Sequence, residues 1–130
     1  MIDRFESLWH LNATIKSDLR ELENLRSVAF SIGTSSVEER VKGGVIENKV
    51  ESCIIKIVDL ERKIADEVNE CITLKEEIID IINGQNNETD RVILRLRYIE
   101  CLTWGAIADR LGYSERQIYR LRKRALDNLG

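Results

Sequence analysis

The sequence contains no proline and only two Phe, two Trp and three Tyr among its 130 residues. Without proline the commonest breaker of long helices is missing. The scarcity of aromatics, and the lack of turn clusters spaced about every eight to twelve residues, exclude a β-sandwich or barrel. Cys53, Cys71 and Cys101 form no CxxC pair and lie on apolar periodic positions, so they read as core thiols of a reducing compartment and not as a disulfide or metal set. No apolar run approaches the roughly 18 residues of a membrane helix, and Met1-Ile2-Asp3-Arg4 lacks the apolar start of a signal peptide. A cytoplasmic chain without membrane contact is expected. His10 is the only histidine, no glycine loop is built to cradle phosphate, and the carboxylates fall on exposed helical positions. No catalytic residue, cofactor or metal set emerges, so an enzyme is not expected.

What is present is 43% hydrophobic and 33% charged, the balance of amphipathic helices with solvated faces, in a chain long enough for one compact domain or two very small ones. An all-α fold follows. The net charge of −3 is unevenly distributed: residues 88–130 carry nine Lys+Arg against six Asp+Glu, whereas residues 1–87 carry eleven against seventeen. Where the cations of the basic end cluster decides whether that excess matters.

Phe5, Leu8, Leu11, Ile15, Leu19, Leu22, Leu25, Ala29 and Ile32 recur every three or four residues, which predicts a helix over 4–32 ending near Gly33. Val37–Lys42 can form a short helical turn before the Gly43-Gly44 pair. From about Val45 to Ile82 a heptad takes over. Val50, Ile57, Ile64, Cys71 and Ile78 hold one position and Ile46, Cys53, Leu60, Leu74 and Ile81 the other, with Glu67 breaking the second series. The first helix folding back as an antiparallel hairpin, or a second copy of the middle helix, can fill this seam. Ile54, Val58, Val68, Ile72, Ile79 and Ile82 widen the stripe beyond one partner, so a hairpin that also dimerises satisfies it best.

Asn83-Gly84 stops the long helix and Gln85-Asn86-Asn87 is a polar connector, placing a domain boundary between residues 1–84 and 85–130. Val92, Ile93, Leu96, Ile99 and Leu102 mark a helix of about four turns from Glu88 to Cys101. Thr103 can cap a short helix that turns Trp104, Ile107, Ala108 and Leu111 inward. Gly112 suits a turn needing positive φ, and Ser114 can cap a last helix over 115–129 with Ile118, Leu121, Ala125 and Leu129 inside. A small residue at the crossing, glycine in the turn and an inward Ile118 together meet the demands of a helix-turn-helix.

The run Leu102–Leu129, with Leu94-Arg95-Leu96-Arg97-Tyr98 before it, resembles region four of bacterial primary sigma factors. The chain has no room for the other sigma regions, and it is more similar to the ArpU- and RinA-like phage regulators. Those likewise place helices before a terminal sigma-like unit with a Trp-x-x-Ile-Ala stretch and a Tyr-Ser turn, here Trp104–Ala108 and Tyr113-Ser114. The resemblance implies a three-helix unit that reads promoter or operator duplex DNA, in a cytoplasmic phage or prophage regulator, more as an activator of late genes than as a repressor. Homodimerisation through the N-terminal helices and contact with host RNA polymerase are the further partners it suggests. One departure is Ala106, where many such units carry a glutamate that completes a capping box; Gly105 beside it leaves room for a close approach.

With Ile118 inward, a rotation of about 100° per residue turns Arg116, Arg120 and Lys123 outward, flanked by Gln117, Tyr119 and Arg124, with Glu115 and Ser114 at the leading end. Arg116 and Arg120 are the candidate base readers, and Lys123 and Arg124 the candidate phosphate contacts. Arg122 falls on the inner side, where burial of its stem and pairing with an acid are expected. Arg91, Arg95, Arg97 and Arg110 are open to backbone contact or to ordinary ion pairing, whereas Trp104 and Tyr98 suit core anchors. The competing reading is a protein-interaction module that binds polymerase or another regulator without touching DNA.

Overall fold

The computed structural model describes residues 2–35 and 43–129, with side chains over 3–32 and 48–129. Five helices, α1 (Ile2–Ser35), α2 (Gly43–Asn83), α3 (Glu88–Leu94), α4 (Trp104–Leu111) and α5 (Glu115–Asn128), make the described residues all-α, with no strand among them. Both long helices overrun their expected ends by one to three residues. The turn expected over Val37–Lys42 lies outside the described residues.

The expected four-turn helix from Glu88 to Cys101 is shorter and differently wound. Asn87 caps α3, its Oδ1 accepting from the Asp90 amide at 3.1 Å. After Leu94 the chain widens into a π-helical turn, Arg95–Ile99, closed by the Glu100 amide on the Arg95 carbonyl at 3.0 Å. Cys101 then adopts φ 60°, a left-handed conformation that is unfavourable for a residue with a Cβ. Val92, expected inside, is 40% exposed.

The chain packs as two compact units, one of Met1–Asn12 with Glu70–Gly130 and one of Ala13–Asn69. This division differs from the boundary expected at 84/85: the first turns of α1 and the last of α2 belong with the short helices. In the first unit, Phe5, Leu8, Ile78, Ile82, Leu94, Tyr98, Ala125 and Leu129 form one enclosed cluster. Burial of such side chains stabilises by about 1.5–3 kcal/mol each, so the terminal turns of α1 and α2 act as the floor on which α3 and α5 rest. The Phe5 and Tyr98 rings meet edge to face, 4.9 Å apart. The Tyr98 hydroxyl donates to Glu6 at 3.0 Å, and burial followed by the nearby Glu6 charge pushes its pKa well above the ordinary tyrosine range. A second cluster, Ile93, Leu96, Ile107, Ala108 and Ile118, joins α3, the π turn, α4 and α5. Ala108 sits in it at 4% exposure, where a larger side chain would force the helices apart.

In the second unit, Leu22 of α1 is buried with Leu60 and Ile64 of α2, and the partners run in reversed order along the two helices. Asp18 meets Lys63 at 3.3 Å and Arg26 meets Glu61 at 3.0 Å. Glu67, the break in the heptad, is 9% exposed beside Asp18, itself 7% exposed. Removal from water, then the adjoining Asp18 carboxyl, raises the Glu67 pKa against the weaker pull of Lys63.

Candidate nucleic-acid interface

Helices α4 and α5 are fixed by local chemistry. The Thr103 hydroxyl accepts from the Ala106 amide at 3.1 Å and starts α4, without the reciprocal contact that a glutamate at 106 would make. Gly112 ends it at φ 73°, and the next amide, that of Tyr113, donates to the Ala108 carbonyl at 2.8 Å. Ser114 then opens α5 with a full capping box: its hydroxyl accepts from the Gln117 amide at 3.2 Å and its own amide donates to Gln117 Oε1 at 2.9 Å. Ile118 and Ala125 anchor the inner side of α5, at 5% and 0% exposure.

On the opposite side Arg116, Tyr119, Arg120 and Lys123 are exposed, and none of them forms an ion pair or side-chain hydrogen bond among the described residues. Three cations and a phenol therefore project from a helix whose other face is held by a core. Glu115 lies exposed in the first turn. A shallow groove of ≈300 Å³, lined by Asn87, Thr89, Tyr113, Gln117, Arg120, Leu121 and Arg124, runs beside the row.

Three expected site residues are committed elsewhere. Gln117 uses its amide oxygen in the cap, which removes the acceptor half of a bidentate contact to adenine. Ser114 is the other half of that cap. Arg124 turns back on Asp90, a carboxylate 1% exposed, donating through Nη2 at 2.8 Å and Nε at 3.2 Å, and so serves packing before any phosphate. Asn128 donates to the other Asp90 oxygen at 3.0 Å, tying the start of α3 to the C-terminal half of α5. Asp90 was not among the residues expected to matter; the only hint in the sequence is an acid three residues after a capping Asn87.

The remaining arginines sort by contact. Arg97 lies 3.4 Å over the Trp9 ring and 5.1 Å from that of Trp104, and donates to the Leu102 carbonyl at 3.3 Å. Burial lowers its pKa from the ordinary arginine value. Among the described residues Arg122 has no acid partner, contrary to expectation: its guanidinium sits 5.2 Å from the Trp104 ring and the side chain is exposed. Arg91 donates to the Gln85 carbonyl, and Arg110 pairs with Glu100 at 3.6 Å. Arg95 is exposed and has no such contact among the described residues. Among the described residues nothing lies within 4 Å of where a Cβ of Gly105 would stand, so no close approach among them explains it. The cysteines are half-buried, not enclosed: Asn12 links two of them, accepting from Cys71 Sγ at 3.4 Å and donating to Cys101 Sγ at 3.1 Å.

No cluster of three or more His, Cys, Asp or Glu among the described residues is placed to hold a metal, and no helix among them is long and apolar enough to cross a membrane. What these features define, among the described residues, is an all-α structure whose last two helices are joined by a glycine turn, the second presenting a row of cations with no ion pair among those residues. The family model described as "Protein of unknown function (DUF1492)" matches residues 31–130, and the chain belongs to that family. No curated protein and no solved structure matches it.

Proposed function

We propose that the protein is a sequence-specific DNA-binding transcription regulator of phage or prophage genes, in which α4 and α5 act as a sigma-region-four-like helix-turn-helix and α5 enters the major groove. The observation that carries this reading is the uncommitted row Arg116, Tyr119, Arg120 and Lys123 on a helix that is rigidly capped and anchored on its other side. An unpaired exposed arginine retains the whole donor fork that guanine O6 and N7 accept, and a capped helix holds it in register. Arg116 and Arg120 read bases, Lys123 contacts phosphate, and Tyr119 packs against the groove wall. Upstream, α1 and α2 form an antiparallel hairpin that pairs two copies of the chain, so the operator contains two symmetry-related half-sites. The protein acts in the bacterial cytoplasm, with activation of late genes as the polarity that the sigma-like resemblance favours.

Selection of genomic fragments by the purified chain, followed by footprinting and a salt titration, tests this. A reader protects paired half-sites and loses affinity steeply with salt, by about 0.9 in log–log slope for each phosphate neutralised. A shallow slope without sequence preference opposes it. A second reading, a module that binds polymerase or another regulator, draws on a groove of ≈560 Å³ between α4 and α5 whose lining includes Trp104, Tyr119, Asp109, Glu115 and Arg122. Polymerase retained by the chain in the absence of promoter DNA favours that reading.

A further inference from the structure

Two of the three cysteines meet at one side chain. Asn12 of α1 bridges Cys71 of α2 and Cys101 of the bend before α4, all within the first compact unit. Its amide oxygen accepts from Cys71 Sγ at 3.4 Å and its amide nitrogen donates to Cys101 Sγ at 3.1 Å. The oxygen and nitrogen of an amide lie only about 2.3 Å apart, so both sulfurs crowd a single small group. Both thiols are half-buried, which leaves them open to a small oxidant. Cys53 is half-buried in the second unit and has no hydrogen bond among the described residues.

The amide makes the paired thiols unequal. Cys71 donates its S–H to the Asn12 oxygen, and burial pushes its pKa up against the pull of Lys75, with smaller contributions from Cys101 and Glu70 in the same direction as burial. It is held as a neutral thiol. Cys101 instead receives an N–H, a contact that supports negative charge on sulfur, and its own S–H reaches only the Tyr98 and Ile99 carbonyls at 3.9 Å. Cys101 also holds φ 60°, in a bend closed by the Leu102 amide on the Leu96 carbonyl at 3.0 Å. A side chain carried in a conformation that glycine adopts more easily points to a use for that side chain.

We infer that Cys71 and Cys101 form a reversible redox pair whose oxidant is a peroxide, with Cys101 the attacking thiol and Cys71 the resolving one. In the first step the Cys101 thiolate attacks one peroxide oxygen. The O–O bond breaks, the second oxygen leaves as hydroxide and takes up the proton that Cys101 shed, and Cys101 becomes a sulfenic acid. Asn12 then swings aside and the Cys71 sulfur attacks the sulfenic sulfur: the S–O bond breaks, the S–S bond forms, and the Cys71 proton leaves with the hydroxide as a second water. Each sulfur loses one electron and the peroxide gains two. Disulfides of this kind inside cells are transient and redox-sensing, not structural. The bond ties α2 to the bend that leads into α4, so oxidation pins the short helices to their floor. The inference goes beyond the proposed function and does not rest on DNA binding.

Peptide mass mapping of the full-length chain after treatment with hydrogen peroxide tests it, with free thiols alkylated before digestion. The expected product is a cross-linked Cys71–Cys101 peptide pair, lighter by two hydrogen atoms than the separate peptides and split again by dithiothreitol, with Cys53 alkylated. In Cys71→Ser the resolving step is missing, so a sulfenic acid should accumulate at Cys101 and be trapped by dimedone. In Cys101→Ser, oxidation of Cys71 should be slower than that of Cys101 in wild type by about tenfold or more. Asn12→Asp, the same size but with an acceptor in place of the donor, should slow Cys101 oxidation by about tenfold while the helical signal is kept. A wild-type chain in which Cys53 is oxidised as fast as Cys101, or in which Cys71 and Cys101 are modified separately without cross-linking, overturns the inference without need of any variant. Dimedone trapped on Cys71 in Cys101→Ser as fast as on Cys101 in Cys71→Ser overturns the assignment of roles.

Discussion

Asp90 shows how one side chain can hold a small unit together. Its carboxylate is enclosed and receives Arg124 and Asn128, so removing either partner leaves a buried charge short of donors. Arg124→Ala should destabilise the protein by about 2–4 kcal/mol, the half-exposed arginine keeping the cost below that of a fully buried pair. Thermal and denaturant unfolding measure this. DNA affinity per folded molecule should change far less than in Arg120→Ala, and equal losses in both would contradict this division of roles between Arg124 and Arg120. Gly105 gives the opposite case. With open space at its Cβ position and a helical backbone, Gly105→Ala should stabilise by about 0.5–1 kcal/mol, read as a rise in unfolding midpoint. A drop would mean that the glycine answers a contact absent from the isolated chain. These residues differ in how far the sequence reveals them. The caps at Thr103 and Ser114 and the turn at Gly112 are settled within three residues of chain, so they were legible. The Asp90–Arg124 pair joins positions 34 apart and depends on where α5 crosses α3, which no local pattern encodes.

At the scale of the element, Glu67 is the informative exception. The heptad exposes it as a polar residue in an apolar seam, but only the packing shows that it shares its site with Asp18. Because its pKa is raised in the folded chain above the unfolded value, folding favours the protonated form. Its contribution is therefore least unfavourable below the unfolded glutamate pKa, and stability is lost as pH rises through the folded one. Glu67→Gln should match wild type near pH 4 and become progressively more stable toward pH 7, in paired urea titrations across that range. Glu67→Leu, which restores the heptad, should stabilise by about 1–2 kcal/mol at neutral pH. A variant less stable than wild type at pH 7 would show that Lys63 outweighs the burial. The long helices themselves were legible from periodicity. The π turn after Leu94 was not, because apolar spacing alone does not distinguish a bond to the fifth preceding carbonyl from one to the fourth.

Across the whole molecule, residues 1–87 are acidic and residues 88–130 basic, and the proposed split between pairing and DNA contact rests on that distribution. The fold class was legible because absent proline, scarce aromatics and sustained helical periods all point the same way. The division into units was not: Phe5 and Leu8 lie far from Leu129 in the chain, and nothing in their spacing says that they floor the C-terminal helices. Of the candidate site, the outward row on α5 was legible by rotation from Ile118, whereas Arg124 was misplaced because rotation describes one helix and its acid lies on another. The most direct measurement of the central claim is the affinity of Arg116→Ala and Arg120→Ala for a duplex selected by the wild-type chain, at fixed salt and with unfolding midpoints matched. Each should lose about 1–3 kcal/mol of binding and discriminate less against a changed base pair. Wild-type affinity and discrimination in both variants would contradict it.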